Sequence, residues 1–340
     1  MRKIAVILFN LGGPDGQKSV RPFLFNLFND GAIISLPQPL RWLLAQTISR
    51  SREKLAQANY AFMGGGSPIV LETEKQARAL EAVLAARGED VEYRCFLAMR
   101  YWHPFTHEAA QAAKAWGADE AVLLPLYPHY SSTTTASSLA AWRRAPALPA
   151  RAICCYPSGA KFAQAHADAI LQAWRDGGSP AKPRVLFSAH GLPQRVIDAG
   201  DPYQWQIEQS AAAVRALLPL EWEYQTSYQS KVGRLVWIGP STEAEVDRAA
   251  HEGVGLIVSP IAFVSEHVET LVELDIEYAQ RAAALGAPYY LRAPALGAAP
   301  RYIETLADLV ARASGSAHAI QSETGVRICP AAYGLCPNRV

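Results

Sequence analysis

Short runs of Val, Ile, Leu and aromatic residues alternate along the chain with longer Ala- and Glu-rich stretches whose apolar positions recur at helical spacing. The short runs predict strands at Ile4–Phe9, Glu92–Ala98, Ala121–Leu126 and Ala152–Tyr156. A second series follows at Val185–Ser188, Trp222–Ser227, Gly255–Ile261 and Tyr289–Arg292. The longer stretches predict helices such as Leu71–Ala86, His107–Ala115, Phe162–Arg175 and Tyr203–Leu217. Continuously apolar strands separated by helices belong to parallel sheets covered on both faces. With about four strands in each half, the pattern predicts an α/β chain of two doubly wound units, with a boundary near Arg151.

The 340 residues suffice for two domains with sizeable cores, so neither disulfides nor a structural metal are needed to fold them. Half the residues are hydrophobic, 19% are charged, and mean hydropathy is zero, which excludes global disorder. With 32 basic and 31 acidic residues the net charge is +1, too little to build a phosphate-tracking surface, so no nucleic-acid partner is expected. The longest apolar stretches, such as Ala121–Leu126 and Leu256–Val258, break far short of the ~18 residues of a membrane span. The apolar start, Ile4 to Phe9, ends at Asn10 and runs into Gly-Gly-Pro-Asp with no cleavage site, so it reads as a strand and not a signal peptide. Five cysteines in no regular framework point to a reducing compartment, and the expected location is the cytoplasm.

Ligands of doubly wound sheets bind beyond the carboxyl ends of the strands, and those positions are polar and aromatic here. Arg100, Tyr101, Trp102 and His103 follow one strand, and Tyr127 to Thr135 another. His190 follows a third, Gln229, Ser230 and Lys231 a fourth, and Ser265 to Glu269 a fifth. A site in the cleft between the two units, lined from both, is expected. Nucleotide chemistry is not: Gly12-Gly13-Pro14-Asp15-Gly16 departs from G-x-G-x-x-G, and Pro14 removes an N–H where a pyrophosphate needs one. Ile69 in Gly65-Gly66-Ser67-Pro68-Ile69 breaks the nucleophile-elbow pattern of serine hydrolases.

Glu269, Glu273 and Glu277 stand at i, i+4 and i+8, which on an α-helix stacks three carboxylates on one face about 6 Å apart. Such a row repels itself and requires either full solvation or a cation. A solvated surface face is the commoner outcome, but Glu269 directly follows an apolar strand end and Arg281 is the nearest downstream base. Carboxylates beside the imidazole of His267 suit a hard divalent metal in transit. His190, one residue past a strand, reads equally as a structural histidine or as a proton acceptor and metal ligand.

These segments carry a resemblance that covers nearly the whole chain. Phe9-Asn10-Leu11-Gly12-Gly13-Pro14, Gly64-Gly65-Gly66-Ser67-Pro68-Ile69, Met99-Arg100-Tyr101-Trp102-His103-Pro104 and Leu126-Tyr127-Pro128-His129-Tyr130-Ser131 fall in the first half. Phe187-Ser188-Ala189-His190-Gly191-Leu192-Pro193, Tyr228-Gln229-Ser230-Lys231-Val232-Gly233, Trp237-Ile238-Gly239-Pro240 and Ser265 to Asp275 fall in the second. In order and spacing they resemble the ferrochelatases, lyases that insert ferrous iron into a porphyrin at the end of haem synthesis. The resemblance implies two Rossmann-like domains, residues 1–150 and 151–297. The first carries a lip at about residues 31–55 and is joined by helix 300–314; residues 315–340 form a tail with a Cys pair.

The resemblance also implies roles. His190 falls on the histidine facing the porphyrin nitrogens and Glu269 on the carboxylate opposite. Glu273 and Glu277 fall on an acidic path for metal, and His267 on a supporting histidine. Arg100, Tyr101 and Trp237 match porphyrin-pocket positions, and Ser131 lies on the adjoining loop. Leu11 stands where forms acting on protoporphyrin IX carry an apolar residue, which favours that substrate over coproporphyrin; ferrous iron is the co-substrate. A non-catalytic tetrapyrrole or metal carrier, and a chelatase for another metal or another porphyrin such as coproporphyrin, remain the alternatives.

The apolar stretch from Ala32 to Pro37, with Leu40, Trp42, Leu43 and Leu44 before Arg50, Arg52 and Lys54, reads as a buried helix or as a membrane-touching lip, and the family favours the lip. The chain is thus expected in the cytoplasm, peripheral to the inner membrane face. Ala61 and Phe62 stand where the family often has two arginines, so those contacts do not carry over. Cys329 and Cys336, with Cys155 and, as the doubtful fourth, Cys154, resemble the ligands of members that hold a [2Fe–2S] cluster. Adjacent strand residues point to opposite faces, which sets Cys154 against Cys155 as joint ligands. Cluster-bearing members include dimers, so the resemblance leaves a homodimer open.

Overall fold

The computed structural model of the chain describes all residues except 89, 146–147, 232, 234 and 339–340. Among the described residues the strands form two sheets, each parallel throughout and each belonging to one of two compact units. The two doubly wound sheets expected from the sequence are therefore present.

The first unit comprises Met1–Tyr127, Ser131–Cys154 and Leu306–Val326. Its sheet runs β2 (Val91–Met99), β1 (Arg2–Asn10), β3 (Glu120–Pro125), β4 (Ala150–Ile153) and β9 (Ile320–Gln321) in spatial order. From Ile4 to Asn10 every residue of β1 is buried, as a central strand with helices on both faces requires. On one face Ala5, Ile7 and Phe9 pack with Ala109, Ala110 and Ala113 of helix Thr106–Ala115 and with Leu139 and Trp142. Small alanines let that helix approach the sheet closely, which the expected helix His107–Ala115 could not by itself reveal. β9 escaped the sequence pattern because two residues carry no periodicity. β4 ends at Ile153, ahead of the expected Tyr156.

The second unit comprises Pro128–Tyr130, Cys155–Thr305 and Arg327–Val340. Its sheet runs β6 (Glu223–Gln229), β5 (Arg184–His190), β7 (Leu256–Pro260) and β8 (Tyr290–Arg292). Val185, Phe187 and Ala189 of β5 pack with Ile207, Ala211 and Val214 of helix Tyr203–Arg215, while Leu186 faces Val246, Ala249 and Leu274 on the other side. The tail thus divides: residues up to 326 belong to the first unit and those from 327 to the second. Helix Pro300–Ser314 divides likewise after Thr305.

One expected element is corrected. The acidic row does not ride on an α-helix: Glu269–Tyr278 is a π-helix of 10 residues, continued by α-helix Ala279–Ala284. Its widened turns are held from outside. Arg292 on β8 bonds Asp275 through Nη2 at 2.9 Å and Glu266 through Nη1 at 2.8 Å, and the Tyr290 hydroxyl donates to the Leu274 carbonyl at 2.8 Å. A π-helix has poor intrinsic stability and persists where such contacts over-determine it.

The second unit also buries two neutral imidazoles. His129 Nε2 donates to Ser210 Oγ at 2.7 Å, because Ser210 gives its own proton to the Pro157 carbonyl. His129 Nδ1 and His166 Nε2 are buried without hydrogen-bond partners. Burial lowers both histidines to about 3, aided at His129 by the neighbouring His166. A folded-state value below the unfolded one means that the unfolded chain binds more protons in acid. Stability should therefore decline as pH falls from about 6.5 toward 3. Urea titrations at pH 7 and pH 4.5 check this, and His166→Leu should flatten the decline while leaving stability at pH 7 unchanged or higher.

Candidate active site

β5 delivers His190 at its carboxyl end, where the strand leaves the sheet. The next residue has to be glycine: a Cβ on Gly191 would lie 2.9 Å from the Gln229 carbonyl and 3.3 Å from the Trp237 ring. The Tyr203 hydroxyl donates to the His190 carbonyl at 2.9 Å, fixing the strand end from helix Tyr203–Arg215. His190 Nδ1 meets Glu269 Oε2 at 2.8 Å, where Glu269 opens the π-helix. The two side chains retain 38% and 21% of their exposure, so the pair is shielded but open to a ligand.

The electrostatics of the pair are reciprocal. Burial alone would raise Glu269, but the charge and hydrogen bond of His190 bring it down to about 2. Burial alone would lower His190, yet Glu269 and, further away, Glu273 carry it above the ordinary histidine value. With Nδ1 committed to the carboxylate, Nε2 is the nitrogen left to accept a proton.

Glu273 lies one step beyond. Burial and the nearby Glu269 charge raise it, against donors from Ser230, Gln229 and Tyr278. Gln229 Nε2 donates to the Glu269 carbonyl at 2.9 Å and to Glu273 Oε2 at 3.1 Å; the Tyr278 hydroxyl donates to Glu273 Oε1 at 3.0 Å. Ser230 donates to Glu273 through both its N–H and its hydroxyl, from a left-handed backbone with φ 63°. That conformation costs a non-glycine residue about 1 kcal/mol. The sequence marks Gln229 and Ser230 only as polar residues past a strand, without a donor role, and carries no signal for Tyr278.

Other expected site residues lie as follows. Glu277 is exposed, beyond the donors that gather Glu269 and Glu273. Arg281, the nearest base downstream in sequence, is engaged by Glu243 and Asp247. His267 is buried with its ring 4.7 Å from that of Phe263 and its Nδ1 without a hydrogen-bond partner; burial holds it below the usual histidine value. Trp237 is half-buried over Gly191. Val232, within one of the quoted motifs, lies outside the described residues.

In the first unit Arg100, Tyr101 and Ser137 converge on Asp30, a residue that carries no site signal in the sequence. Arg100 Nη2 lies 2.8 Å from Asp30 Oδ2, the Tyr101 hydroxyl donates to the same oxygen at 2.9 Å, and Arg100 Nε donates to Ser137 Oγ at 2.7 Å. Burial opposes the Asp30 charge, but the Ala32 N–H, Ser137 and Arg100 together keep its carboxyl below the usual range. Tyr101 is only 1% exposed, so its ring is a strut under Arg100. Leu11 is half-buried just past β1, and Ser131 is buried with its hydroxyl 2.9 Å from that of Thr133.

Three of the cysteines gather in the second unit. Hydrogen bonds from Cys155 and Cys336, with further help from Gln206 and the Arg327 charge, bring the Cys329 thiol down to about 3 against burial. Gln206 Nε2 donates to Cys329 Sγ at 3.1 Å, and Arg327 ties the tail by donating to the carbonyls of Cys329, Pro330 and Tyr333. Cys154 is buried in the first unit, and Cys95 is raised by its burial in β2. Among the described residues no group of three or more His, Cys, Asp and Glu side chains is arranged to hold a metal ion, the row from His190 to Glu277 included.

The ferrochelatase family model matches residues 3–314. A ferrochelatase of Phenylobacterium zucineum is 59% identical over 339 residues, covering 99% of this chain and 98% of its own. One of Caulobacter vibrioides is 55% identical over 99% of this chain and 98% of its own, and one of Rickettsia bellii 44% identical over 98% and 95%. Among solved structures, Bacillus subtilis SirB with Fe3+ is similar in fold alone, with a TM-score of 0.51 and 12% identity over 93% of this chain and 96% of that one. Matched along nearly its whole length by a family model and by these relatives, the chain belongs to the ferrochelatase family.

Proposed function

We propose that this chain inserts Fe2+ into protoporphyrin IX, giving protohaem and releasing two protons. The 2.8 Å contact of His190 with Glu269 carries the reading. Metallation must strip two pyrrole N–H protons while the macrocycle is bent so that nitrogen lone pairs reach the metal. His190, made more basic by the carboxylate behind it, accepts a pyrrole proton at Nε2, and Glu269 stabilises the imidazolium that results. Glu269 and Glu273 offer hard oxygen donors to the incoming iron, with Glu277 at the solvent end of the path. Arg100, preset by Asp30 and Tyr101, supplies a positive charge for an acidic group on the porphyrin rim. Leu11 supports protoporphyrin IX over coproporphyrin, because an apolar contact suits the substrate with fewer carboxylates.

Haem formation from Fe2+ and protoporphyrin IX tests this directly. His190→Ala and Glu269→Gln should each lower turnover by about 10²-fold or more, the scale of general acid–base catalysis. Near-normal turnover in both would sink the assignment; tight porphyrin binding without metallation by the wild type would mark a carrier.

The lip is read as a peripheral membrane contact, with the protein in the cytoplasm. Helix Gln38–Ala61 leaves Leu40, Trp42, Leu43 and Leu44 between 38% and 57% exposed, and Arg50, Arg52 and Lys54 follow on the same helix. No helix among the described residues is long and apolar enough to cross a membrane. Wild-type protein should sediment with anionic vesicles and Leu40→Asp/Leu43→Asp should not; equal sedimentation would remove the lip from membrane contact.

The acidified Cys329 thiol favours one addition: Cys155, Cys329 and Cys336 hold a [2Fe–2S] cluster, with Cys154 the remaining candidate for the usual four thiolates. Cys155 and Cys336 both hydrogen-bond Cys329, in a tail clamped by Arg327, which supports the reading, although the described thiols are not arranged as a group that holds a metal ion. Anaerobically purified protein should show visible absorption with iron and sulfide, lost in Cys329→Ser; a colourless protein without sulfide would leave the cysteines structural.

A further inference from the structure

We infer that Ser230 is a positioning residue for the metal side of the reaction: it fixes Glu273 beside Glu269 by donating from both its backbone and its side chain. The inference rests on the proposed iron route through these carboxylates. Two donors of one residue address one carboxylate, the N–H reaching Glu273 Oε1 at 2.8 Å and the hydroxyl Glu273 Oε2 at 2.5 Å. The same hydroxyl lies 3.4 Å from Glu269 Oε2, between the two acids. A hydroxyl has one proton to give, so it serves one carboxylate at a time and can follow whichever carries the greater charge.

The backbone explains why the residue is serine. Both donors point to the π-helix because Ser230 adopts φ 63°. Glycine would take that conformation without strain and would keep the N–H. What serine adds, at a conformational cost, is the hydroxyl alone. Strain of this kind persists where its surroundings over-determine it, and here the strand pairing of Gln229 with His190 and the Gln229 amide on both acidic residues do so. Without the hydroxyl, like charges in adjacent positions of the row would swing apart and the spacing offered to a divalent cation would loosen.

Steady-state kinetics with Fe2+ and protoporphyrin, thermal unfolding, and calorimetric titration of Co2+ test this on the full chain. Ser230→Gly should melt no lower than wild type, yet show a KM for Fe2+ raised about tenfold, the scale of one lost hydrogen bond to a charged group. Its KM for porphyrin should stay within about twofold, and Co2+ affinity should fall with the iron KM. Ser230→Ala should lose the same iron affinity and also melt lower, and Ser230→Thr should recover the iron KM despite a lower melting temperature. Wild-type iron KM in Ser230→Gly, or equal rises in both KM values, would overturn the inference. Co2+ bound more weakly by Ser230→Gly than by a wild type that does not metallate porphyrin would overturn the functional reading and leave the positioning role standing. Equal Co2+ affinity, or none in either protein, would overturn the positioning role itself.

Discussion

A carboxylate and an imidazole brought together at the end of a buried strand are each made more extreme by the other. Glu269 is driven to acidity and His190 to basicity, although burial pushes both the opposite way. The second unit is organised around maintaining that opposition. β5 and the glycine after it set the imidazole, Tyr203 ties the strand end, and the π-helix presents the carboxylate with its own donors already assigned. Removing one charge would leave the other shielded and unpaired, which costs more than the pair contributes.

The first unit follows a similar principle in a simpler form. Asp30 gathers a guanidinium, a phenol and a serine hydroxyl, so Arg100 is held in one geometry before any ligand arrives. A preset cation binds an anion with little ordering cost, and its partial neutralisation by Asp30 keeps it from being an isolated shielded charge.

Much of the fold was legible because parallel strands buried on both faces are continuous apolar runs, and β1, β3, β5 and β7 are of that kind. His190 was legible as a polar residue at the end of such a run, and Glu269 as the first of a glutamate row in the segment that follows another. The donor roles were not: Ser230 and Gln229 act through a tertiary meeting of the end of β6 with the π-helix that no local spacing encodes, and Tyr278 reaches Glu273 within that helix, five residues away. The π-helix itself was hidden, because glutamates four apart read as one α-helical face whichever hydrogen-bond pattern the backbone adopts. Asp30, in Asn29-Asp30-Gly31, carries only a turn signature. β9 is two residues long and becomes a strand only by lying beside β4.

The discontinuous make-up of the first unit has a consequence for the order of assembly on the ribosome. The second unit's whole sheet, β5 to β8, is synthesised before Ile320 and Gln321 exist to pair with β4. Until then β4 is a bare edge, and closing it spans a chain separation that counts heavily in folding rate. A nascent chain therefore passes through a stage with one sheet complete and the other unfinished, when an exposed strand is open to pairing with a neighbouring molecule. The last few dozen residues, seemingly an appendage, are what ends that exposure.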